Sequence, residues 1–531
     1  MAPKKATAKA QPGRRTKVAS NSKGGAKEPR PKPAAASKQK PKPPSGSSSR
    51  ASGGLRNVDA PIPPAKRTYD DSHPERPSKR TKTDSKRKSP TIKAVHERQP
   101  VINQVPTKVL NILVFGNGDN SELGLGPKQT ESSRPRLNPS LDPEDPTKHH
   151  ITAVACGGMH TIALTVEGRI VTWGVNDEFA LGRDTHWNPE IHDVDAVPDH
   201  DAELNPLEST PTAIPDAHFP PNTRFCQVAA GDSYSMALTD TGLVYGWGTF
   251  RDSEGKSRFG YDTRDGTIIK NQKTPLLIQG LKEITQIVCG ANHAMALDSS
   301  GQIFAWGSND QLQFARRLFG RHQDCLRPRL VRVCRGNAKY IAAGEYHCFA
   351  VDRVDNVWAW GLNSYGEAGY ASTAGKDSAI LPWPIKIRDL CGKSVTTISG
   401  GAHHSAAVTA DGQCLLWGRL DGGQLGIRFS AEQLQDTTLI RYDDRGKPRI
   451  CLRPAAIPGT FTHVACGTDH TLFISKQGEL YATGFGSEGQ LGLGSDEDVE
   501  VAQLVKGKHL KEKILTWAGA GGQFSVVAGP A

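Results

Sequence analysis

The chain has 531 residues, of which 23% are charged and 36% are hydrophobic, and its formal net charge is +11. A single hydrophobic core stops growing at about 250 to 300 residues, so this length predicts several domains or a repeat architecture. The chain has no run of about 18 apolar residues, and its N-terminus lacks the apolar segment of a secretory signal. These features favour an intracellular, soluble protein with no membrane partner.

The positive charge is concentrated in the first 100 residues. They contain 26 Lys and Arg against 7 Asp and Glu, a net charge of +19, so the total of +11 leaves −8 for residues 101–531. This part of the chain is rich in Pro, Ser, Ala and Lys, and it buries too little apolar surface to offset its conformational entropy. We therefore expect residues 1–107 to form a disordered basic tail.

Short basic clusters in this tail are typical of a nuclear-import signal, and the same charges can bind DNA phosphates without sequence preference. The residues concerned are Lys79, Arg80, Lys86, Arg87 and Lys88. The alternative is a solvated tail that only keeps the protein soluble. We expect a nuclear-import receptor and DNA as partners of the tail, and hence a location in the nucleus.

Seven similar segments follow the tail. Each joins a small-residue turn to an alternating apolar strand, a polar turn and a second strand, as in "ACGGMHTIALTVEGRIVTWG" and "SGGAHHSAAVTADGQCLLWG". The last segment, "AGAGGQFSVVAG", is shorter, and its missing second strand is supplied by "VLNILVFGNGDNSELGLG" at residues 109–126. The glycines that close the second strand are Gly116, Gly174, Gly248, Gly307, Gly361, Gly418 and Gly484.

The spacing of these glycines leaves room for four short strands in each repeat. Period-two alternation predicts strands, and the Glu-Gly, Thr-Gly, Ser-Gly and Asp-Gly pairs predict hairpin turns. Four-stranded units repeated radially form a β-propeller, and pairing the first strand with the last unit removes its exposed edges. We therefore predict an all-β, seven-bladed β-propeller over residues 108–531, with the ring closed by the N-terminal strand.

Recurrent His and Cys residues raise the question of a metal site. The turn histidines are His160, His293, His347, His404 and His470, with Tyr234 and Phe524 at the same position in the other repeats. A radial ring spaces equivalent residues too far apart to share one ion, so we expect structural histidines that bond the backbone of their own blade. The ten Cys include no CxxC pair, and Cys156, Cys289 and Cys466 share one repeat position, which favours small buried side chains. We predict no metal, disulfide or cofactor.

One repeat departs from the pattern at "WGTFRDSEGKSRFG", residues 247–260. Elsewhere a Gly or Ala follows the closing Gly after eight positions, but the interval from Gly248 to Gly260 is twelve. Four polar residues have therefore been added at the tip of this repeat.

The seven repeats, the split seventh unit and above all "GDSYSMALTDTGLVYGWGTFRDSEG" resemble the regulator of chromosome condensation family, which comprises nuclear guanine-nucleotide exchange factors for the Ran GTPase. The resemblance covers residues 108–531. It implies that the added tip, about residues 249–257, is a β-wedge that presses on the GTPase near the nucleotide phosphates. It also implies an exchange factor that makes no covalent bond and needs no cofactor.

The resemblance further implies particular contacts. In the wedge, Phe250 is expected to be an apolar anchor on the GTPase, with Arg251 and Asp252 as polar contacts. Asp232 of "AGDS" corresponds to an exchange residue, and in "CGANH" of the next repeat Asn292 stands where some relatives carry Asp, so it keeps that position without the charge. His403, the extra histidine of "GGAHHS", is a further exchange candidate.

Two further residues are candidates for binding the GTPase, Asp119 of "GNGDN" and Arg316 of "FARR". Where relatives carry a contacting His in the final repeat, this chain has Phe524. Each candidate has a plainer alternative, because Asp and Asn often cap turns, and Arg316 can belong to a solvated basic loop.

Chromatin attachment is implied by an Arg-rich stretch, "ARRLFGRHQDCLRPRLVRVCR". In the family a loop of this blade meets the acidic patch of the nucleosome, formed by histones H2A and H2B, where Arg can fork onto carboxylates. Arg321 is our candidate for this contact, and the tail would add contacts to nucleosomal DNA.

Two other functions fit parts of the pattern. A chromatin or signalling adaptor would use the propeller as a binding platform, but it has no need of the wedge or of Asp232. A hydrolase could use Asp232 and His403 as acid and base. No metal-ligand spacing, nucleophile motif or phosphate-binding loop in the sequence favours the hydrolase.

Overall fold

The computed structural model describes residues 100–188, 203–262, 264–316, 325–376 and 379–531. Arg321 and the basic residues of the tail lie outside these ranges, so their predicted roles have no structural description. Within the described ranges, no helix is long and apolar enough to cross a membrane.

Seven antiparallel sheets surround a central channel, as the repeat pattern predicts. Blade 7 takes β1 (Leu110–Asn117) and β2 (Glu131–Leu137) from the N-terminal end of the ring and β32 (Trp517–Ala520) and β33 (Phe524–Pro530) from the C-terminal end. Blade 1 contains β3 (Ile151–Cys156), β4 (His160–Thr165), β5 (Ile170–Gly174) and β6 (Thr212–Ala213). Blade 2 contains β7 (Phe225–Ala230), β8 (Tyr234–Thr239), β9 (Val244–Gly248) and β14 (Gln272–Leu277).

The other four blades continue in chain order. Blade 3 contains β15 (Ile284–Cys289), β16 (His293–Asp298), β17 (Ile303–Gly307) and β18 (Arg329–Val331), and blade 4 contains β19 (Ala338–Ala343), β20 (His347–Asp352), β21 (Val357–Leu362) and β22 (Ile380–Lys386). Blade 5 has five strands, β23 (Val395–Gly400), β24 (His404–Thr409), β25 (Cys414–Arg419), β26 (Ile440–Tyr442) and β27 (Pro448–Ile457). Blade 6 contains β28 (Phe461–Cys466), β29 (His470–Ser475), β30 (Leu480–Gly484) and β31 (Val499–Leu504).

Outside the blades, strands β10 (Phe250–Arg251) with β11 (Ser257–Arg258) and β12 (Gly260–Tyr261) with β13 (Ile268–Ile269) form two small hairpins. The described helices are short, α1 (Pro206–Ser209) and α2 (Ala431–Gln435).

Ring closure joins the two ends of the propeller sequence. Strand β1 pairs with β33 without interruption, from Leu110 opposite Pro530 to Gly116 opposite Phe524. This confirms the predicted pairing of the first strand with the last repeat, and it covers the edges that β1 and β33 would otherwise expose.

Steric crowding explains why the third strand of each blade carries a glycine at its closing position. Gly174 has a φ of +106°, and a Cβ there would lie 2.5 Å from the carbonyl oxygen of Met159. Gly116 repeats the geometry in blade 7, with a φ of +112° and 2.5 Å to the oxygen of Gln523. Any side chain would therefore force apart the third strand and the turn that enters the second strand.

The recurrent histidines link neighbouring blades, so the prediction that they bond the backbone of their own blade is wrong. The Nε2 atom of His160 lies 2.8 Å from the hydroxyl of Ser235 in the next blade, and His404 repeats this with Thr471 at 2.8 Å. The rings are fully buried, and burial lowers the pKa of His160 to about 4 and that of His404 to about 3, so both are neutral. The sequence could not show this partner, because it lies one repeat further along the chain.

The tail boundary predicted at residue 107 lies too far along the chain. The backbone N–H groups of Ile102 and Asn103 donate to the carbonyl oxygen of Asp240, at 2.8 and 3.0 Å. The amide of Asn103 also donates to the carbonyl oxygen of Ile284, at 2.8 Å. The segment ahead of β1 is thus already fixed against the hairpin turn between the second and third strands of blade 2.

Candidate functional site

Strand alternation decides which loops share a face. In every blade the loop from the first to the second strand and the loop from the third to the fourth leave the same end of the ring. We call this end the upper face. It carries all eight described candidates, Asp119, Asp232, Phe250, Arg251, Asp252, Asn292, Arg316 and His403.

The predicted wedge is a hairpin in which Phe250 pairs with Arg258 and Arg251 with Ser257. Its turn is held by Asp252, whose carboxylate accepts the N–H of Glu254 at 3.0 Å and that of Lys256 at 2.9 Å. The tip from Ser253 to Lys256 is exposed. The second hairpin, β12 with β13, was not predicted, because its strands are only two residues long.

Phe250 is an anchor of a different kind from the one predicted. It is only 2% exposed, and its ring centroid lies 4.5 Å from that of Tyr234 and 5.9 Å from that of Phe259. The prediction that it contacts a partner protein is therefore wrong. Phe250 fixes the base of the wedge to the core between blades 2 and 3, because an aromatic side chain gains most from complete burial.

The two polar wedge residues also differ. Arg251 has a side chain 44% exposed, and it pairs with Glu178 of blade 1 at 2.8 Å. Asp252 instead faces its own hairpin, where it also lies 3.4 Å from Arg258. The exposed polar groups of the tip thus belong mainly to Arg251, Glu254 and Lys256, and the last two were not predicted.

Asn292 connects the wedge to Asp232. Its side-chain oxygen accepts the backbone N–H of Arg251 at 2.7 Å, and its amide nitrogen lies 3.4 Å from the carboxylate of Asp232. The backbone N–H requires an acceptor and the carboxylate requires a donor; a side-chain amide supplies both, whereas a second carboxylate would supply acceptors only. This explains why the position carries Asn rather than a second Asp.

The wedge is also tied to blade 3. The N–H of Ser253, at the wedge tip, donates to the carboxylate of Asp310 at 2.8 Å. Together with the Glu178 and Asn292 contacts, this places the hairpin between loops of blades 1 and 3. The wedge is therefore a fixed element that leans over the upper face with its tip in solvent.

Two carboxylates lie at the mouth of the channel on this face. Burial raises the pKa of Asp232, while the Arg251 charge and the Asn292 amide lower it. Burial, with a smaller contribution from the nearby Asp232 charge, raises the pKa of Glu345 to about 7. Glu345 was not predicted, although a charged residue in "AGEYH" at a repeat position that elsewhere is mostly small was a visible signal.

His403 belongs to a separate cluster across the channel. Its Nδ1 atom lies 3.5 Å from the buried carboxylate of Glu367, and its ring centroid is 4.7 Å from that of Tyr365. The guanidinium groups of Arg419 and Arg449 lie over the Tyr365 ring at 5.4 and 5.0 Å. The two arginines and the tyrosine were not predicted, because Tyr365 comes from a loop of blade 4, whereas Arg419 and Arg449 belong to strands β25 and β27 of blade 5.

Asp119 and Arg316 stand apart from these groups. Asp119 is exposed on blade 7, where its backbone N–H donates to the side chain of Asn117 at 2.7 Å. Arg316 is half-buried on blade 3, and its carbonyl oxygen accepts from Asn309 at 3.3 Å. The upper face therefore brings together Asp232, Asn292 and the wedge, but not the whole predicted set.

The two residues that a hydrolase would use as acid and base have separate partners on this face. Asp232 is partnered by Asn292 and His403 by Glu367, and no hydrogen bond joins Asp232 to His403 among the described residues. Within the same ranges, no group of three or more His, Cys, Asp and Glu side chains could hold a metal ion. The site consists of charged and aromatic side chains on the upper face.

Comparison with known proteins agrees with this description. The model of the RCC1-like domain matches residues 111–527. The chain is 38% identical to the guanine nucleotide exchange factor SRM1 of Saccharomyces cerevisiae, over 79% of this chain and 87% of that protein. It is 38% identical to the protein pim1 of Schizosaccharomyces pombe (81% and 76% covered) and 30% identical to the regulator of chromosome condensation of Homo sapiens (83% and 97% covered).

A solved structure extends the agreement to the fold. Prp20p of Saccharomyces cerevisiae, described with its binding to Gsp1p and histones, superposes with a TM-score of 0.72 at 36% identity, covering 80% of this chain and 92% of that one. A second structure of the same yeast protein, bound to Kap60, gives a TM-score of 0.71 at 35% identity, covering 86% and 96%. The chain therefore belongs to the regulator of chromosome condensation family, whose propeller is the RCC1-like domain.

Proposed function

We propose that this protein is a guanine-nucleotide exchange factor for a GTPase of the Ran type, and that the GTPase binds to the upper face. The wedge would enter the phosphate region of the nucleotide site, with Asp232 and Asn292 supporting it from below. The named exchange factor among its relatives and the binding of Gsp1p by Prp20p support this function.

The fixed wedge is the observation that carries the proposal. A GTPase that holds nucleotide at nanomolar to picomolar affinity has about 12 to 16 kcal/mol of binding free energy. An exchange factor opposes it by binding the nucleotide-free form more tightly, and each partner weakens the other by the same coupling energy. A hairpin held by Asn292 and Asp310 before binding loses little conformational entropy on contact, so more of its contact energy is left for that coupling.

The net charge of −8 for residues 101–531 favours a basic partner surface. Asp232 and Glu345 lie at the channel mouth. Asp469 lies in the corresponding loop of blade 6, between its first and second strands. Complementary charge speeds encounter and orients the two proteins. The adaptor alternative gives no reason for a rigid hairpin, or for a buried carboxylate beneath it.

We infer further that the protein acts in the nucleus at chromatin. Prp20p is described as binding histones, and it has been solved in complex with Kap60. We propose corresponding partners here, with Arg321 on the histone acidic patch, and with Lys79, Arg80, Lys86, Arg87 and Lys88 engaging DNA or the import receptor. Phosphate contacts of this kind should weaken steeply as salt rises.

Nucleotide release tests the exchange function directly. Purified protein should accelerate release of fluorescent GDP from Ran and leave release from other small GTPases at its intrinsic rate. A Ran release rate unchanged at micromolar protein would refute the proposal. Binding to Ran without accelerated release would favour the adaptor.

A further inference from the structure

A groove lies between blades 6 and 7 at the end of the ring opposite the upper face, which we call the lower face. The segment from β31 to β32, residues 505–516, crosses this end, and the hairpin turn from β29 to β30 lies beside it. Strand β2 of blade 7 supplies the remaining side. The groove has a volume of about 570 Å³. A GTPase on the upper face would leave it open.

Five cationic side chains line this groove. They are Arg134, Lys506, Lys508, Lys511 and Lys513. Arg134 donates to a backbone carbonyl oxygen at 2.7 Å, and Lys513 donates to an asparagine side chain of β1 at 2.9 Å. The side chains of Lys506, Lys508 and Lys511 are exposed and have no hydrogen bond or ion pair among the described residues. These three charges are therefore available to a ligand.

The groove has a local charge opposite to that of the ring as a whole. Residues 101–531 carry −8, but the lining contains five cations and a single carboxylate, Glu479, an excess of four positive charges. The neighbouring His509 responds to this charge, because burial and then the charges of Lys508, Arg136 and Lys513 lower its pKa. Glu512 belongs to the same segment but does not line the groove. The groove thus favours an anionic ligand.

The base of the groove is apolar. Its residues are Leu480, Leu504, Val505, Leu510 and Leu515. Leu504 and Leu510 are only half-buried, and Ile514 of the crossing segment is 65% exposed. Covering this apolar surface is favourable. A phosphate backbone would use the cations and leave the base uncovered, whereas a peptide with acidic and apolar side chains would use both.

We propose that this groove binds an acidic segment of a partner protein in which an apolar residue lies between carboxylates. The apolar side chain covers Leu504 and Leu510, and the carboxylates face Lys506, Lys508 and Lys511. Complementary charge orients the segment, and the apolar contact gives specificity over other anions. The site lies on the lower face, so it does not depend on exchange activity and can be filled while a GTPase is bound.

The test uses the full chain at physiological salt and a fluorescein-labelled octapeptide, Gly-Asp-Leu-Asp-Glu-Leu-Asp-Gly, with fluorescence anisotropy as the readout. Ser in place of Leu gives a control peptide of equal charge, which the basic tail should bind equally well. We expect saturable binding of the Leu peptide and about fivefold weaker binding of the Ser peptide. Equal binding of the two peptides, or no binding of either at millimolar concentration, would overturn the proposal.

A substitution within the groove locates the binding. Gly507 lines the groove, its φ of −163° suits any residue, and a Cβ there would lie no closer than 3.8 Å to its neighbours. Gly507→Glu should therefore keep the fold, place a carboxylate among the lysines and weaken the Leu peptide about tenfold. Unchanged affinity in this variant would place any binding elsewhere and refute the site.

Charge reversal provides a matched comparison. The double variant Lys508→Glu and Lys511→Glu should weaken the Leu peptide about tenfold. Lys282→Glu with Lys393→Glu changes two exposed lysines outside the groove by the same total charge, and it should leave peptide affinity unchanged. Equal effects of the two double variants would show that only net charge matters. If the groove variants lost affinity for a labelled DNA duplex but kept it for the peptide, the groove would be a nucleic-acid site and the proposal would be wrong.

Discussion

The junction between blades 1 and 2 and the junction between blades 2 and 3 use the same repeat in two ways. At the first, His160 bonds Ser235 of the next blade, and the Trp247 N–H is bonded to the Ala180 carbonyl. At the second, Tyr234 replaces the histidine, and Trp306 has no acceptor among the described residues. Four added residues replace the interlocking loop with the wedge, so the junction between blades 2 and 3 is bonded differently from the junction between blades 1 and 2.

We expect the largest effect from acid, which should destabilise the junctions that contain a buried histidine and leave the junction that contains Tyr234 unaffected. Burial lowers the pKa of His160 and His470 to about 4 and that of His293, His347 and His404 to about 3. Unfolding releases these rings to protonate, so stability is complete above the ordinary His pKa of 6.5 and falls as pH drops below it. Each histidine contributes up to about 1.4 kcal/mol per pH unit.

Denaturant unfolding at pH 7 and pH 5 measures this loss, and His404→Phe provides the comparison. The variant starts from lower stability, because the hydrogen bond between His404 and Thr471 is lost, but it should lose less on acidification than the parent chain. An equal acid loss in both proteins would assign the sensitivity to other groups.

Removing the wedge anchor should have the next largest effect. Phe250→Ala deletes a buried aromatic ring between Tyr234 and Phe259, at a cost of about 3 kcal/mol in the free energy of unfolding. It should also slow exchange, because the hairpin loses its fixed base. Urea denaturation and GDP release check the two effects. Phe250→Leu should recover most of the stability, and an Ala variant as stable as the parent would mean that the ring carries no packing.

Asp232 should affect exchange without affecting the fold. Asp232→Ala removes a carboxylate whose raised pKa shows that its burial is unfavourable, so stability should change by less than about 0.5 kcal/mol. Exchange should fall about tenfold to a hundredfold if it is a main contact. Asn292→Asp is the companion variant, since it keeps the shape but loses the donor that faces Asp232. A large loss of stability in Asp232→Ala would identify a turn residue instead.

The tryptophan pair should give the smallest difference. Trp247→Phe removes one of the two donors to the Ala180 carbonyl and leaves the Ser235 hydroxyl as the other, whereas Trp306→Phe removes a donor that has no partner among the described residues. We expect Trp247→Phe to be less stable than Trp306→Phe by about 1 kcal/mol, measured by thermal unfolding. Equal losses would show that the Trp306 N–H is bonded in solution.

The sequence predicts the ring well because the features that form each blade are local to its repeat. Period-two strands, hairpin glycines and closing glycines such as Gly174 are local features, and the short last repeat predicts the pairing of β1 with β33. The interval between Gly248 and Gly260 also locates the wedge correctly.

What the sequence does not predict depends on contacts between repeats. Period-two alternation does not show that Phe250 is buried, since its neighbours Tyr234 and Phe259 come from other strands. The His160 partner, the placement of Asn103 and the cluster around Tyr365 likewise join residues distant in sequence. Glu345 shows the same limit, because its raised pKa comes from its surroundings in the folded ring.

The pairing of β1 with β33 has a consequence for biosynthesis. Leu110 faces Pro530, so blade 7 cannot form until nearly the whole propeller sequence has left the ribosome. Six blades can assemble in order during translation. During this time the backbone N–H and C=O groups of β1 have no partner strand, and other strands can pair with them. Completion of the circle is therefore a late and slow step, and this interval is when the nascent protein is most exposed to misassembly and to chaperones.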